Sequence, residues 1–338
     1  MSVLQESISL KPYNTFGIPV NARYFAEIVN EGDLVQLLNS DLIGEQKLLI
    51  LGGGSNILFT EDFNGLVIKV SIPGIKSIED GNDVVVTSGA GVVWNDLVQY
   101  CVQQGFGGIE NLSLIPGTVG ASPIQNIGAY GVELKDVFES CVAYEIATAK
   151  TKVFTYKDCQ FGYRDSIFKN ELKNQYIITS VSLRLNKIPD VNIQYGAIKD
   201  ELANRNISSP TISDVSAVVS DIRVSKLPDP STIGNAGSFF KNPIIDQTQF
   251  DLILKQFPEI VHYPAPNGRV KLAAGWLIEQ CGFKGIISGE TGTWRNQALV
   301  LVNHGHATGQ EVYSFSEQIV VAVDAKFHVK LEREVNIL

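Results

Sequence analysis

Between Trp94 and Gln104 the apolar residues Trp94, Leu97, Val98, Cys101 and Val102 keep helical spacing, and Gly105 follows where such a helix ends. A longer stripe of Val312, Phe315, Ile319, Ala322, Val323 and Phe327 predicts a helix over about Gln310 to His328. Asn30 supplies an N-cap side chain, and Glu31 and Asp33 an acidic first turn, for a short helix carrying Leu34, Leu37 and Leu38. Further helices are expected near Ile212 to Ser225, after Pro210, and over Leu272 to Gln280, closed by Gly282. Apolar runs of strand length lie at Lys47 to Leu51, Leu66 to Val70, Asp83 to Ser88, Cys141 to Ala147, Tyr176 to Leu185 and Ala298 to Val302. Val329 to Leu338 also reads as a strand. Pro228 and Pro230 mark a linker. Gly107 to Gly131 has little periodicity of its own.

A chain of 338 residues exceeds one ordinary core and implies two or three domains. Hydrophobic residues at 44% and charged residues at 19% fit a globular protein. The net charge of -9 argues against nucleic-acid binding and against anionic membranes, since both need a basic face. No apolar run is long enough to span a bilayer, so membrane insertion is not expected. Cys101, Cys141, Cys159 and Cys281 show no metal-ligand spacing and read as free thiols in a reducing compartment. The first residues carry no signal-peptide pattern, so a cytoplasmic location is expected.

Two glycine loops carry the candidate chemistry. Leu51 to Leu58 contains Gly52, Gly53 and Gly54, followed by Ser55 and Asn56, directly after a strand. Such a loop can be an anion nest or a plain strand-to-strand turn, and its residues alone permit both. It is neither a Rossmann fingerprint nor a Walker A loop, because Ile57 opens an apolar run and no Gly-Lys-Ser/Thr follows. Ile115 to Gly131 is rich in glycine, proline and small residues and cannot build its own core. A large flat cofactor can order it, with Gln125, Asn126 and Tyr130 as hydrogen-bonding groups. A long structural loop is the alternative.

Several stretches resemble the UDP-N-acetylenolpyruvoylglucosamine reductases in the same order along nearly the whole chain. They are Asn14 to Gly17, Leu51 to Leu58, Ile115 to Gly131, Tyr163 to Ser166, Lys226 to Asp229 continuing through Gly234 to Pro243, and Leu331 to Val335. The resemblance implies an α+β chain. An FAD-binding domain of the vanillyl-alcohol-oxidase (PCMH) type would occupy two subdomains, at 1–72 and 73–210. A separate α+β substrate-binding domain would cover 211–328, with strand 329–338 returning to the first subdomain.

The resemblance also implies FAD as cofactor, NADPH as co-substrate, and a nucleotide-sugar substrate bearing an enol ether of pyruvate. A monomer is expected. FAD contacts fall to Gly52, Gly53, Gly54, Ser55 and Asn56, and to Pro116, Gly117, Gly120, Ala121, Gln125, Asn126, Gly128, Ala129, Tyr130 and Gly131. No histidine lies in either loop, so non-covalent FAD is expected. Hydride addition to the enol ether leaves negative charge on the adjacent carbon and its carboxylate. Arg164 is assigned to grip that carboxylate, Ser238 to donate the proton, and Glu334 to stabilise the charge in a protonated or hydrogen-bond-donating form. Tyr195, Lys226, Asn242 and Gln297 match substrate-contacting positions, with Tyr195 in a loop of the kind that closes over the nucleotide. Asn336 stands where the family commonly has Arg. His304 and His306 lack further ligands nearby, and no metal is expected.

Two other readings differ in class. A flavin oxidase of the same fold would not need Ser238 and Glu334 together. A nucleotide-sugar binding protein would not need the Gly107 to Gly131 region.

Overall fold

The first strands and the Asn30-capped helix build a four-stranded sheet. Its order is Gln5–Ser9, Asn21–Ile28, Phe63–Val70, Leu48–Leu51, with the last three strands parallel. The helix Glu31–Leu38 begins where the sequence predicts, and Asn30 Oδ1 accepts from Asp33 N at 2.8 Å. Such a cap is worth about 1 kcal/mol. Leu34, Leu37 and Leu38 pack with Ala26, Ile28, Leu66, Ile68 and Val70. The computed structural model describes residues 4–338 and divides them into two units, each assembled from separated stretches of chain. The first unit runs to Ile8, then takes Ala22–Gly54 and Phe63–Val224; the second takes Ser9–Asn21, Ser55–Asp62 and Ser225–Leu338.

The first unit holds a second sheet of five antiparallel strands, ordered Thr151–Thr155, Phe138–Glu145, Tyr176–Asn186, Asp83–Gly89, Ile75–Asp80. The helix Trp94–Gln104 buries Trp94, Leu97, Val98 and Cys101 in this sheet's core, and Trp94 Nε1 donates to Leu112 O at 3.0 Å. Cys101, Cys141 and Cys159 are buried free thiols. Burial pushes the Cys101 thiol up to about 12, so it stays protonated and unreactive. A smaller cluster joins the helix Gly196–Asn204 to residues of the helix Ile212–Lys226. Sequence periodicity does not mark the former helix, whose apolar face is narrow: only Ile198 and Leu202 are buried.

The second unit contains an antiparallel sheet ordered Gly234–Ser238, Gln297–Asn303, Thr291–Trp294, Ile287–Ser288. The helices Ala274–Gln280 and Gly309–Phe327 pack on it. Three short strands, Ile244–Ile245, Arg269–Leu272 and His262–Ala265, form a further sheet. Val329 to Leu338 is not one continuous strand. Arg333 bridges Phe240, whereas Asn336–Ile337 pairs in parallel with Ile57–Leu58. The segment changes partner midway, so no single ladder forms along it. No helix among the described residues is long and apolar enough to cross a membrane.

Candidate active site

In the first unit the two glycine loops meet. A Cβ on Gly53 would lie 2.8 Å from Gly117 Cα, and one on Gly52 would lie 2.5 Å from Thr118 Oγ1. Neither contact leaves room for a side chain on the glycine, so the Gly53 and Gly117 main chains abut here and the Thr118 hydroxyl lies against Gly52. Gly117 and Thr118 are held from behind: Gly117 O accepts from Trp94 N at 3.0 Å, and Val119 N and Gly120 N donate to Val92 O and Ala90 O. Thr118 Oγ1 is buried and has no hydrogen-bond partner. A buried hydroxyl without a partner is costly and calls for one. An orphaned hydroxyl beside a main-chain cradle fits the diphosphate of a dinucleotide such as FAD. Thr118 lies inside the loop the sequence singles out, but a threonine there carries no distinguishing mark.

The same loop runs on into a hairpin, Gly128–Ala129 against Val132–Glu133. Its two turn residues, Tyr130 (φ 49°) and Gly131 (φ 82°), both have positive φ, as a type I′ turn requires. A tyrosine is strained in that position. Such strain concentrates at functional sites, where the surroundings hold it. Tyr130 packs edge-on against Tyr195 with centroids 5.2 Å apart. Asn111 Nδ2 bridges Tyr130 O (3.1 Å) and Asn192 O (2.9 Å), which ties the Tyr195 segment to the hairpin. Tyr195 itself is half-exposed and precedes the helix Gly196–Asn204.

Arg164 sits in a turn closed by Gly162 and Asp165, again at positive φ (53°). Its guanidinium donates to Gly128 O, and Asn126 Nδ2 donates to Gly162 O at 2.9 Å and to Glu133 Oε2 at 3.1 Å. Asn126 Oδ1 accepts from Lys135 N at 3.0 Å. The Asn126 side chain therefore binds the protein and fixes the Arg164 turn against the loop.

In the second unit Ser238 ends a bulged strand. Asn235 stands opposite Val302 and Ser238 opposite Val300, so one strand carries an extra residue. Gly237 takes the positive φ (67°) of the bulge, and its N–H donates to Asn235 Oδ1 at 3.0 Å. Phe239 is fully buried and stacks edge-on with Phe16 and Phe240. Alternation along the strand then turns the part-exposed Ser238 to the opposite side.

The stretch after Ser238 pairs with the last predicted motif. Glu334 N donates to Phe239 O (2.9 Å) and Lys241 N to Glu332 O (2.9 Å). Ser238 and Glu334, ninety-six residues apart in sequence by their numbers, are thus neighbours across one pairing. Asn56 Nδ2 donates to Glu334 O at 3.2 Å, and Asn336 holds Asn56 O through both its N–H (3.1 Å) and its Nδ2 (3.0 Å). Asn56 and Asn336 brace Glu334 through its backbone.

Asn242 Oδ1 accepts from Ala274 N at 2.9 Å, and a Cβ on Gly275 would lie 2.8 Å from Gln297 Oε1. Asn242 and Gln297 therefore converge on the start of the helix Ala274–Gln280. Lys226 is exposed at the end of its helix, and the adjacent Ser225 O accepts from Asn296 Nδ2 at 2.9 Å. His304 and His306 are exposed in the turn after strand Gln297–Asn303. Arg164 and Tyr195 belong to the first unit, and Ser238, Glu334, Lys226, Asn242 and Gln297 to the second.

One first-unit residue escapes the sequence reading. Arg223 interacts with the Tyr130 hydroxyl and lies near enough to Arg164 for the two charges to repel. Burial is the main cause that holds its pKa below the usual arginine range. Its Nε is buried without a partner. The signal was present: Arg223 continues the row Val215, Val219 at four-residue spacing, on the helix's buried face.

Residues 229–338 match the family described as UDP-N-acetylenolpyruvoylglucosamine reductase, C-terminal domain, and residues 23–157 match the FAD binding domain family. A curated protein of that reductase name from Flavobacterium johnsoniae is 50% identical over 99% of both chains. One from Amoebophilus asiaticus is 52% identical over the same share, and one from Pseudomonas aeruginosa 48% identical over 99% of this chain and 98% of its own. The crystal structure of the reductase from Thermus caldophilus has the same fold, with a TM-score of 0.69 over 100% of this chain and 99% of that one, at 23% identity.

Proposed function

The chain belongs to the UDP-N-acetylenolpyruvoylglucosamine reductase family and is an FAD-containing oxidoreductase, and from that premise we propose that its α+β FAD-binding domain is of the vanillyl-alcohol-oxidase type and that it reduces UDP-N-acetylglucosamine enolpyruvate to UDP-N-acetylmuramate at the expense of NADPH. The reaction would serve peptidoglycan precursor synthesis. The unpaired cysteines support a cytoplasmic setting. The two sheets of the first unit support its division into two FAD-binding subdomains.

The observation that carries the proposal is the pairing that sets Glu334 N on Phe239 O, beside Ser238. Gly52 to Gly54 and Pro116 to Gly131 would hold FAD non-covalently, with the unpartnered Thr118 hydroxyl as a donor for its diphosphate. FAD when bound would supply hydride chemistry at the site, with NADPH as its reductant, and the hydride would end on the terminal methylene carbon of the enol ether. Arg164 pairs with the substrate carboxylate and lowers the energy of the charge that develops there. Ser238 gives its hydroxyl proton to the adjacent carbon, so the double bond becomes CH–CH3. Glu334 stabilises that charge in a protonated or hydrogen-bond-donating form, because a bare carboxylate beside developing negative charge would oppose it. Lys226, Asn242 and Gln297 bind the sugar nucleotide, and Tyr195 closes over it.

The test is NADPH oxidation by the purified yellow protein, followed by absorbance with and without UDP-N-acetylglucosamine enolpyruvate. Oxidation is expected only with the enolpyruvyl compound, with a product heavier by two hydrogens. Equal oxidation without it, with oxygen consumed, would make the protein an oxidase and end this reading.

A further inference from the structure

Arg223 is an unusual arginine. Its Nε is sealed from solvent, and no hydrogen bond reaches that atom. The charged or titratable groups that act on it are a phenol, Tyr130, and a second cation, Arg164. No carboxylate among the described residues pairs with it. Other well-placed arginines of this chain do have acidic partners: Arg184 lies between Asp80 and Glu139, Arg205 between Glu201 and Asp221, and Arg333 on Glu317. A guanidinium drawn out of water towards a like charge is costly unless an anion joins it.

Tyr130 completes the arrangement. Its hydroxyl is hydrogen-bonded to Arg223, and a guanidinium has only donors, so the phenol oxygen is the acceptor. The Tyr130 O–H is therefore free to donate elsewhere. Burial raises the Tyr130 pKa, more than Arg223 lowers it, so the phenol keeps its proton at neutral pH. The strained φ of Tyr130 and the bridge from Asn111 to its carbonyl hold the ring in place. Three donors from separated parts of the first unit thus share one neighbourhood: the Arg164 and Arg223 guanidiniums and the Tyr130 hydroxyl.

We propose that Arg223 and Tyr130 join Arg164 in a carboxylate-binding site, and that this site selects the enolpyruvyl carboxylate of the substrate over nucleotide sugars that lack it. The assignment rests on the proposed function, because it takes that substrate as its ligand. The phenol and two forked cations match the lone pairs of one planar carboxylate. Arg223 is a specificity residue in this scheme: it recognises the anion and takes no part in proton or hydride transfer.

The experiment compares binding of two nucleotides to the flavin-loaded protein by the change in flavin absorbance. One is UDP-N-acetylglucosamine enolpyruvate; the other is UDP-N-acetylglucosamine, which has the same nucleotide and sugar and no carboxylate. The variants are Arg223→Met, Arg223→Lys and Tyr130→Phe. Arg223→Met should weaken the enolpyruvyl compound roughly ten- to hundredfold, as expected for charge-assisted hydrogen bonds, and leave UDP-N-acetylglucosamine within about twofold of wild type. Arg223→Lys should recover part of the loss, and Tyr130→Phe should lose less than Arg223→Met. Equal weakening of both nucleotides would overturn the proposal, placing Arg223 on the diphosphate or in a purely structural role. Unchanged affinity for both would overturn it as well. Wild-type protein that fails to prefer the enolpyruvyl compound would instead sink the proposed function, so the two failures are distinguishable.

Discussion

At the contact of Gly53 with Gly117 in the first unit there is no room for a Cβ, and the surface is main chain. Along Gly234–Ser238 of the second unit the backbone is committed to strand pairing, and what it presents is the Ser238 side chain. The two regions are built to different tolerances. A diphosphate binds backbone and hydroxyl donors, so every added atom in the cradle subtracts from binding. A proton donor must be aimed, and a bulge braced by a buried neighbour, here Phe239, does the aiming. Holding a cofactor and delivering a proton therefore fail separately, which makes the comparison testable.

The largest effect is expected at the aimed side chain. Ser238→Ala should lower turnover about 10²- to 10⁴-fold, the usual range for loss of a general acid. Flavin reduction by NADPH, followed by stopped-flow absorbance, should stay within about twofold of wild type. Equal loss in both half-reactions would erase the distinction between the regions.

The next effect is expected at the cradle. Gly53→Ala puts a Cβ 2.8 Å from Gly117 Cα. FAD affinity should fall at least about tenfold, measured by flavin retained through dialysis. Gly44→Ala is the matched control, since its Cβ meets nothing within 4 Å. Full flavin retention by Gly53→Ala would mean the cradle gives way more readily than its close contacts indicate.

The smallest effect probes the braces behind Glu334. Asn56→Ala removes the hydrogen bond to Glu334 O, which should cost about 1 kcal/mol in a denaturant titration. Turnover should fall more than flavin reduction does. The reverse order would assign Asn56 to the cofactor rather than to Glu334.

Much of the fold is legible because its elements carry their own signals. The helices Trp94–Gln104 and Gly309–Phe327 stand almost at their predicted limits, since both bury a continuous apolar stripe. The helix Gln247–Gln256 carries a cap as its sequence signal: Asp246 Oδ1 accepts from Gln249 N at 2.7 Å. The strand Gln5–Ser9 has no such mark, because most of its residues are exposed. The candidate site is legible where the residue type states the chemistry, as at the glycine loops. Elsewhere it depends on pairing partners far away in sequence. Nothing near Glu334 says that it will lie beside Phe239, and nothing near Asn336 says that it will hold Asn56. Arg223 falls between these cases, as a charged residue in an apolar row whose purpose shows only when Tyr130 and Arg164 arrive.

The interleaving of the two units has a consequence for how the protein is made. Residues of the first unit are all in hand once synthesis passes Val224. Ser9–Asn21 and Ser55–Asp62 emerge early but belong to the second unit, whose remaining stretch begins only at Ser225. They carry Phe16, Leu58 and Phe59, each buried in the finished protein. During translation these apolar residues must wait, uncovered, for partners that the ribosome has not yet produced. Slowing elongation after Val224 lengthens that wait, and chaperone demand should rise with it.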